Sequence, residues 1–392
     1  MSVYKRFALI FACFVYIGLP LCFLALCALL WLYDPFMFFH KPYFREQTYH
    51  SDMRIQARGI IDFTDFDSVI LGTSLLENTS AKEAGEKLGD KWVNLSLSGS
   101  DFSERKIVLD YTLSRKKIRQ IIFSVDAYVL LNGDRENSNS WRAGEKLYTQ
   151  GNFWYRLNKY LDKKIIKCAT KWSKNAECIG NKNDLESVTQ TIRAEQKYFG
   201  GFKHWTQWQK DETLKVYKGY LQNNHHPKSD ENKRLNFKEK QEYLQATLFK
   251  MIKENPNIQF HFIYPPYSRV LYALFPFDKI YHKGRNGKEI FDEIKEILPY
   301  VVRETAKFDN AQIYGFDELF YVDEIKNYFD SIHYWLDMNS MQLDAIANGT
   351  HILTPENIDE YLQTMENKIK AYDLAPLIRE IKEWEKTQND KK

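Results

Sequence analysis

The sequence lacks a strong excess of charge of either sign. Lysine and arginine number 55 and aspartate and glutamate 52, so the formal net charge is only +3 over 392 residues. Nucleic-acid-binding proteins carry a far more basic footprint, and this class is therefore excluded. No internal repeat or low-complexity tract is found, and a hydrophobic content of 44% excludes a disordered chain.

Cysteine is also scarce, with five residues in the whole chain. Cys13, Cys22 and Cys27 lie in an apolar run, where they act as small hydrophobic side chains. Cys168 and Cys178 are ten positions apart in the remainder, a spacing that favours a local disulfide in an oxidising compartment. No further ligands with metal-site spacing lie nearby, so we expect neither a metal nor another cofactor.

Charge is absent altogether from Phe7 to Tyr33, a stretch long enough for a helix to cross a hydrocarbon core of ~30 Å. Lys5 and Arg6 precede it, which places the N-terminus in the cytoplasm and the remainder across the membrane, although basic residues soon after Tyr33 weaken this bias. A cleaved signal peptide is the alternative, but the run is longer than a typical h-region and no small-x-small site ends it. We therefore predict a retained single-pass anchor.

The pattern divides the chain into seven segments. The polar, aromatic-rich middle lacks strand alternation and is predicted to form a helical lid or a side domain. The segments are a cytoplasmic tail (1–6), a transmembrane anchor (7–33), a juxtamembrane stalk (34–65), the first half of an α/β domain (66–131), a mainly helical insertion (132–236), the second half of that domain (237–354) and C-terminal helices (355–392).

Short apolar runs alternate with helical periodicity on both sides of the insertion. The predicted strands are residues 68–72, 92–97, 120–125, 259–264 and 311–316. Helical patterns at 80–87, 101–114, 238–253 and 287–305 come between them. The alternation predicts an α/β fold with a doubly wound, flavodoxin-like parallel sheet of five strands, and ligands are expected at the carboxyl ends of those strands.

A serine follows the first predicted strand. The apolar run stops at Gly72, and Ser74 comes two residues on, before a predicted helix. This arrangement delivers a hydroxyl to the carboxyl edge of a sheet, where backbone N–H groups can face the same space. A turn or N-cap serine is the competing interpretation. Ser74 is the candidate nucleophile.

Two further motifs fall at the same predicted edge. Asp330 and His333 follow the fifth strand, close enough in sequence for the acid to orient an imidazole that activates a serine. Gly99 lies in the turn after the second strand, and its N–H, together with that of Ser74, could stabilise an oxyanion. A buried, aromatic-flanked histidine and an ordinary strand-to-helix turn are the respective alternatives.

Together these motifs resemble the SGNH or GDSL hydrolase superfamily. That family places its nucleophile in a Gly-Asp-Ser-Leu block, completes the oxyanion hole with a glycine and an asparagine after the next two strands, and closes its triad with Asp-x-x-His. The chain has Gly72-Thr73-Ser74-Leu75, then Gly99, then Asp330-x-x-His333 in the same order. The resemblance implies the SGNH-type fold and a Ser-His-Asp triad.

The third block departs from the family. Asp126 lies where the asparagine is expected, and an ionised carboxylate cannot donate to an oxyanion. Either Asp126 orients a loop or a positive group, or another donor replaces the asparagine. We expect a pocket lined by Asp126 with Tyr264, Tyr267 and Arg269 at the end of the fourth strand, where Arg269 could hold an anionic group. The alternatives are a chain-reversal turn and a surface salt bridge of Arg269.

With its anchor the chain resembles the exported SGNH-type proteins of cell-surface acylation, such as the D-alanyl transfer protein of lipoteichoic-acid synthesis and the alginate and peptidoglycan O-acetyl transfer proteins. The resemblance implies a bacterial inner-membrane location with a periplasmic domain. It also implies a serine O-acyltransferase or esterase acting on acyl esters of an envelope glycan, with a membrane-bound O-acyltransferase as partner. The alternative is a non-catalytic glycan-binding or assembly partner of that acyltransferase.

Overall fold

A computed structural model describes residues 3–134, 145–149, 151–189, 196–208, 234–273 and 287–389. Parts of the predicted insertion, residues 135–144, 150, 190–195 and 209–233, lie outside the described residues. The chain divides into two compact units. We call residues 1–64 with 139–188 the anchor unit, and residues 65–138 with 189–392 the sheet unit.

The helices and strands alternate along most of the described chain. The helices are α1 (Val3–Cys13), α2 (Leu19–Tyr33), α3 (Met53–Phe63), α4 (Ser74–Glu77), α5 (Ala81–Leu88), α6 (Phe102–Arg115), α7 (Ala127–Asn132), α8 (Phe153–Asn158), α9 (Lys163–Thr170), α10 (Ala176–Ile179), α11 (Leu185–Thr189), α12 (Phe202–Trp208), α13 (Phe237–Leu244), α14 (Lys250–Glu254), α15 (Arg269–Ala273), α16 (Gly287–Thr305), α17 (Leu336–Asn348), α18 (Ile358–Ala371) and α19 (Ala375–Asn389). The strands are β1 (Ser68–Leu71), β2 (Trp92–Asn94), β3 (Gln120–Ser124), β4 (Gln259–Tyr264), β5 (Ala311–Gly315) and β6 (Ile352–Leu353). Short π-helical segments, Phe14–Gly18 and Gln245–Phe249, join α1 to α2 and α13 to α14.

The anchor unit begins with one continuous helix of 31 residues, Val3–Tyr33, which is long and apolar enough to cross a membrane. Within α2 only Cys27, Leu30 and Tyr33 are buried by the rest of the unit. The helix ends where Asp34 adopts a left-handed conformation, with φ of 33°. The Asp34 carboxylate then accepts backbone hydrogen bonds from the residues that follow, so the predicted stalk folds back as soon as the helix ends.

The short helices α8 to α11 form most of the described part of the anchor unit after residue 151. Helices α8 and α9 pack against α2. A disulfide joins Cys168 in α9 to Cys178 in α10, the pair that the sequence predicts. The Tyr33 hydroxyl donates to the Ser173 carbonyl oxygen at 2.5 Å, which fixes the segment after α9 to the end of the apolar helix.

The sheet unit is α/β, with a mostly parallel sheet of strand order β2-β1-β3-β4-β5-β6. The first five strands in this order are parallel. Their residues are almost all buried, as expected of strands covered on both faces. The parallel arrangement brings the carboxyl ends of β1, β2, β3, β4 and β5 to one edge.

The prediction of five strands is wrong by one. The sixth strand, β6, pairs antiparallel with β5 through two residues only. So short a strand cannot show the alternation by which strands are read from sequence, because the side-chain period is itself two residues.

Candidate active site

Ser74 lies at the carboxyl edge of the sheet because β1 ends at Leu71 and turns directly into α4. Thr73 is the N-cap of α4, and its hydroxyl accepts the Leu75 N–H at 3.3 Å. The turn is close-packed: a Cβ on Gly72 would lie 2.6 Å from the Leu76 Cβ and 2.9 Å from the Ser124 hydroxyl oxygen. Only glycine fits there, and Ser74 is presented as the first residue of the helix, half-buried.

The structure brings together the three predicted triad residues. The Ser74 Oγ lies 2.8 Å from the His333 Nε2, and the His333 Nδ1 lies 2.7 Å from the Asp330 Oδ2. These contacts suit a neutral imidazole that donates from Nδ1 to Asp330 and accepts the serine proton at Nε2. The geometry is therefore that of a general base held against a hydroxyl nucleophile.

Asp330 shapes the loop that carries His333 as well as orienting the ring. Its Oδ1 accepts the backbone N–H groups of Ile332 at 2.8 Å and His333 at 2.7 Å, which leaves Oδ2 for the imidazole. The Phe329 ring stacks on the imidazole with centroids 5.0 Å apart. The short Asp-x-x-His spacing thus closes a small turn in which one carboxylate serves both backbone and side chain.

The protonation of the pair is set by opposing effects. Burial by itself lowers the pKa of His333, but the charge and hydrogen bond of Asp330, with the charges of Glu77 and Asp126, raise it above its usual value. Burial by itself raises the pKa of Asp330, yet the charge of His333 and the hydrogen bonds to the carboxylate lower it below its usual value. The lowered pKa of Asp330 favours its ionised form, and that charge favours a protonated His333 imidazole.

Two hydrogen bonds hold the loop that carries His333 against α4, the helix that begins at Ser74. The Tyr334 hydroxyl donates to the Leu75 carbonyl oxygen at 3.0 Å, and the Asn339 side chain donates to the same oxygen at 2.8 Å. On its other side the loop is bound by Ser268, whose N–H donates to the Ser331 carbonyl oxygen at 3.1 Å. These contacts hold the backbone that carries Ser74 and the backbone that carries His333 in place, and so fix the distance between the two side chains.

Asp126 is buried beneath the nucleophile turn. Its Oδ1 accepts the Thr73 hydroxyl and its Oδ2 the Ser124 hydroxyl, both at 2.7 Å. The guanidinium of Arg105, from α6, lies 3.3 Å from Oδ2 and also donates to the Ser124 carbonyl oxygen at 2.6 Å. Of the two roles that the sequence leaves open, the structure places Asp126 with a positive group and the capping threonine.

Arg105 and Ser124 are site residues that the sequence analysis missed. Arg105 is fully buried, with its guanidinium over the Phe102 and Phe123 rings at 4.9 and 4.6 Å. The only sequence signal for it is its place on the buried face of α6 four residues after Asp101. A charge on such a face needs a buried partner, but the pattern does not reveal which carboxylate that is.

Gly99 follows a segment that runs alongside the end of β1. The Leu97 N–H donates to the Gly72 carbonyl oxygen at 2.8 Å, so the ends of β1 and β2 continue together past their last ladder residues. Gly99 then turns with φ of 62°, a conformation that favours glycine. Within the described ranges no acceptor is found for the N–H of Ser74 or of Gly99, so both remain candidate oxyanion donors.

The three candidate pocket residues after β4 lie in the interior and do not form an exposed wall. Tyr264, Tyr267 and Arg269 are each at most 1% exposed. The Arg269 Nε donates to Asp323 at 2.8 Å, so neither an anion site nor a surface salt bridge describes it. The prediction failed because long aromatic and arginine side chains after a strand can turn into the core when partners lie there, and those partners come from distant segments.

Among the described residues no group of three or more His, Cys, Asp or Glu side chains could hold a metal ion. What the geometry offers is an activated hydroxyl, an oriented base and two open N–H donors at one sheet edge, the set that acyl transfer through serine needs. No family model matches the chain, and no curated protein and no solved structure matches it either.

Proposed function

We propose that the protein is a membrane-anchored serine O-acyltransferase or esterase. The observation that supports the proposal is the continuous hydrogen-bonded line from the Ser74 hydroxyl through His333 to Asp330. A buried structural histidine would need one partner for each ring nitrogen, but it would not need a serine at the first turn of a helix beside two open N–H groups.

In the first half-reaction the Ser74 Oγ attacks the carbonyl carbon of an acyl ester, and His333 takes the hydroxyl proton at Nε2. The N–H groups of Ser74 and Gly99 stabilise the oxyanion of the tetrahedral intermediate. The C–O bond to the donor alcohol breaks, and His333 returns the proton to the leaving alkoxide. In the second half-reaction an acceptor hydroxyl or water attacks the acyl-serine with His333 again as base, and Ser74 regains its proton.

The order of the blocks supports assignment to the SGNH or GDSL superfamily. Ser74 follows β1, Gly99 follows β2, and Asp330 with His333 follows β5, as the resemblance implies. The order β2-β1-β3-β4-β5 of the parallel strands supports the flavodoxin-like arrangement that the resemblance implies. We infer from this resemblance a periplasmic active site on a bacterial inner-membrane anchor, an acyl-bearing envelope glycan as substrate and a membrane-bound O-acyltransferase as partner.

The alternative function is that of a non-catalytic glycan-binding or assembly protein, and its main support is the carboxylate of Asp126 in place of an oxyanion donor. That carboxylate is 0% exposed and accepts from Thr73, Ser124 and Arg105. Its hydrogen-bond partners account for its presence without any loss of chemistry, so we favour catalysis.

Labelling with a fluorophosphonate tests the proposal. The wild-type chain should be modified at Ser74, S74A should not react, and H333A should react far more slowly because the hydroxyl has lost its base. The exposed Ser98 provides a matched control, and S98A should label as the wild type does. Absence of labelling in the wild type, or equal labelling of S74A, would contradict a nucleophilic Ser74.

A further inference from the structure

The end of the apolar helix lies at a definable depth. Lys5 and Arg6 mark one membrane face. Within the uncharged run that extends to Tyr33, the residues from Phe7 to Ala25 precede the first buried residue, Cys27, and extend about 29 Å at 1.5 Å per residue. This matches a hydrocarbon core of about 30 Å. Packing by the rest of the anchor unit begins at Cys27. The helices that pack on α2 therefore lie level with the headgroups, given the membrane anchoring of the proposed function.

The segment that packs there is strongly basic. Residues 156–174 contain seven lysines and arginines against a single acidic residue, Asp162. Five of the lysines are exposed: Lys163, Lys164, Lys167, Lys171 and Lys174. Such a concentration contrasts with the near-neutral composition of the whole chain.

Three of these lysines form a row. Lys163, Lys167 and Lys171 follow at intervals of four along α9 and its C-cap, so they lie on one face, whereas Cys168 and Ala169 are buried on the other. Like charges at this spacing destabilise a helix. Within the described part of the chain only Lys164 among the five exposed lysines has a carboxylate within salt-bridge distance, Glu177 at 3.9 Å. Among the described residues no carboxylate lies within salt-bridge distance of the row Lys163, Lys167 and Lys171.

Large aromatic side chains are exposed in the same unit. Tyr43, Phe44 and Trp154 are 63%, 66% and 64% exposed. Two of them connect to the end of α2. Tyr43 stacks on His40, whose ring nitrogen is 2.8 Å from the Trp31 carbonyl oxygen. Phe44 contacts Trp172, which in turn contacts Tyr33. Aromatic rings beside lysines at the end of a membrane helix are the composition of an interfacial belt.

We propose that the lysine row of α9 and the exposed aromatic residues Tyr43, Phe44, Phe153 and Trp154 form a surface that binds anionic phospholipid headgroups at the membrane face where α2 emerges. The lysines supply the charge that attracts such headgroups, and the rings enter the boundary between headgroups and acyl chains. The anchor unit is then held against the bilayer by two devices, the helix that crosses it and a surface that lies on it.

The full chain, reconstituted in phosphatidylcholine vesicles that contain a trace of fluorescent phosphatidylglycerol or fluorescent phosphatidylcholine, tests this inference. Energy transfer from the nine tryptophans measures which labelled lipid gathers around the protein. The wild type should prefer phosphatidylglycerol, and a variant with K163Q, K164Q, K167Q and K171Q should show no preference. Each lysine near an anionic surface changes the affinity about fivefold. The matched control with arginine at the same four positions should keep the preference.

The outcomes separate this inference from the enzymatic proposal. Loss of the preference with unchanged fluorophosphonate labelling of Ser74 supports a lipid-binding role that is separate from the chemistry. A preference that survives in the four-glutamine variant overturns the inference, whatever happens at Ser74. A second ligand, the acidic glycan polygalacturonate, provides a further test. If the four-glutamine variant loses its binding to polygalacturonate but keeps its lipid preference, the surface binds an acidic glycan and the inference is overturned. Release of the wild type from vesicles by alkaline carbonate would overturn the anchoring on which the inference depends.

Discussion

His333 contacts an acid on one side and a hydroxyl on the other, and its pKa is raised chiefly because the effect of Asp330 exceeds that of burial. Only the neutral imidazole can take the serine proton, so activity needs a pH above this raised pKa. We expect the acid limb of the kcat/KM profile to lie above the usual histidine value of about 6.5. A pH series with a water-soluble acyl ester measures it.

Substitution of Asp330 tests whether its charge is what raises the pKa of His333. In D330N the raising charge is gone, so the acid limb should move to lower pH, and kcat should fall by about 10³ to 10⁴-fold because the amide favours the wrong imidazole tautomer. An unchanged limb in D330N would mean that another group sets the pH dependence.

The buried pair of Asp126 and Arg105 makes a prediction about stability. D126N removes one charge from a pair whose side chains are both 0% exposed and leaves Arg105 uncompensated. Breaking such a pair costs about 3 to 5 kcal/mol of unfolding free energy, measured by urea denaturation. The control is D110N, because Asp110 on α6 is 57% exposed and pairs with Lys106, and it should cost less than about 1 kcal/mol. Equal effects of the two variants would contradict the structural role of Asp126.

At the scale of single residues, the sequence predicted the motifs that depend on local spacing. Ser74 follows its strand by two residues and Asp330 precedes His333 by three, so both motifs are visible without the fold. The partners of Asp126 and Arg269 were not predictable, because Arg105 and Asp323 come from other elements and only tertiary packing selects them. A buried charge shows in a sequence as an anomaly, but its partner does not.

The turn between β1 and α4 has no room for a side chain at Gly72. In G72A the new Cβ would meet the Leu76 Cβ at 2.6 Å, so α4 must shift. We expect a loss of about 1 to 3 kcal/mol of unfolding free energy and slower labelling of Ser74, because the hydroxyl moves away from His333. In the control G85A the nearest atom is the Asp90 carbonyl oxygen at 3.3 Å, and labelling should be unchanged. Normal labelling of G72A would show that the turn tolerates displacement.

Among the elements, the parallel strands were predicted well because each is a short, largely apolar run. No single segment encodes which strands are neighbours, since strand order depends on the crossover connections. The helix predicted at 238–253 is observed as α13, a π-helical segment and α14. Residue periodicity predicts that a helix is present. A local change from α-helical to π-helical winding depends on the packing around the helix, which the periodicity does not show.

At the scale of the molecule, the disulfide carries the prediction about compartment. Disulfides persist in oxidising compartments, so Cys168 and Cys178 should resist alkylation in the native chain and react after reduction. In C168S the remaining Cys178 should react without reduction, which shows that it is accessible. Alkylation of both residues in the unreduced wild type would count against export.

The central claim is that Ser74 carries the acyl group between donor and acceptor. The most direct measurement is mass spectrometry of the full chain after it is mixed with p-nitrophenyl acetate and quenched in acid. The account predicts one acetyl group on the peptide that contains Ser74 in the wild type, and none in S74A or H333A within the same time. An acetyl group on a different residue, or the same yield on Ser74 in H333A, would contradict it.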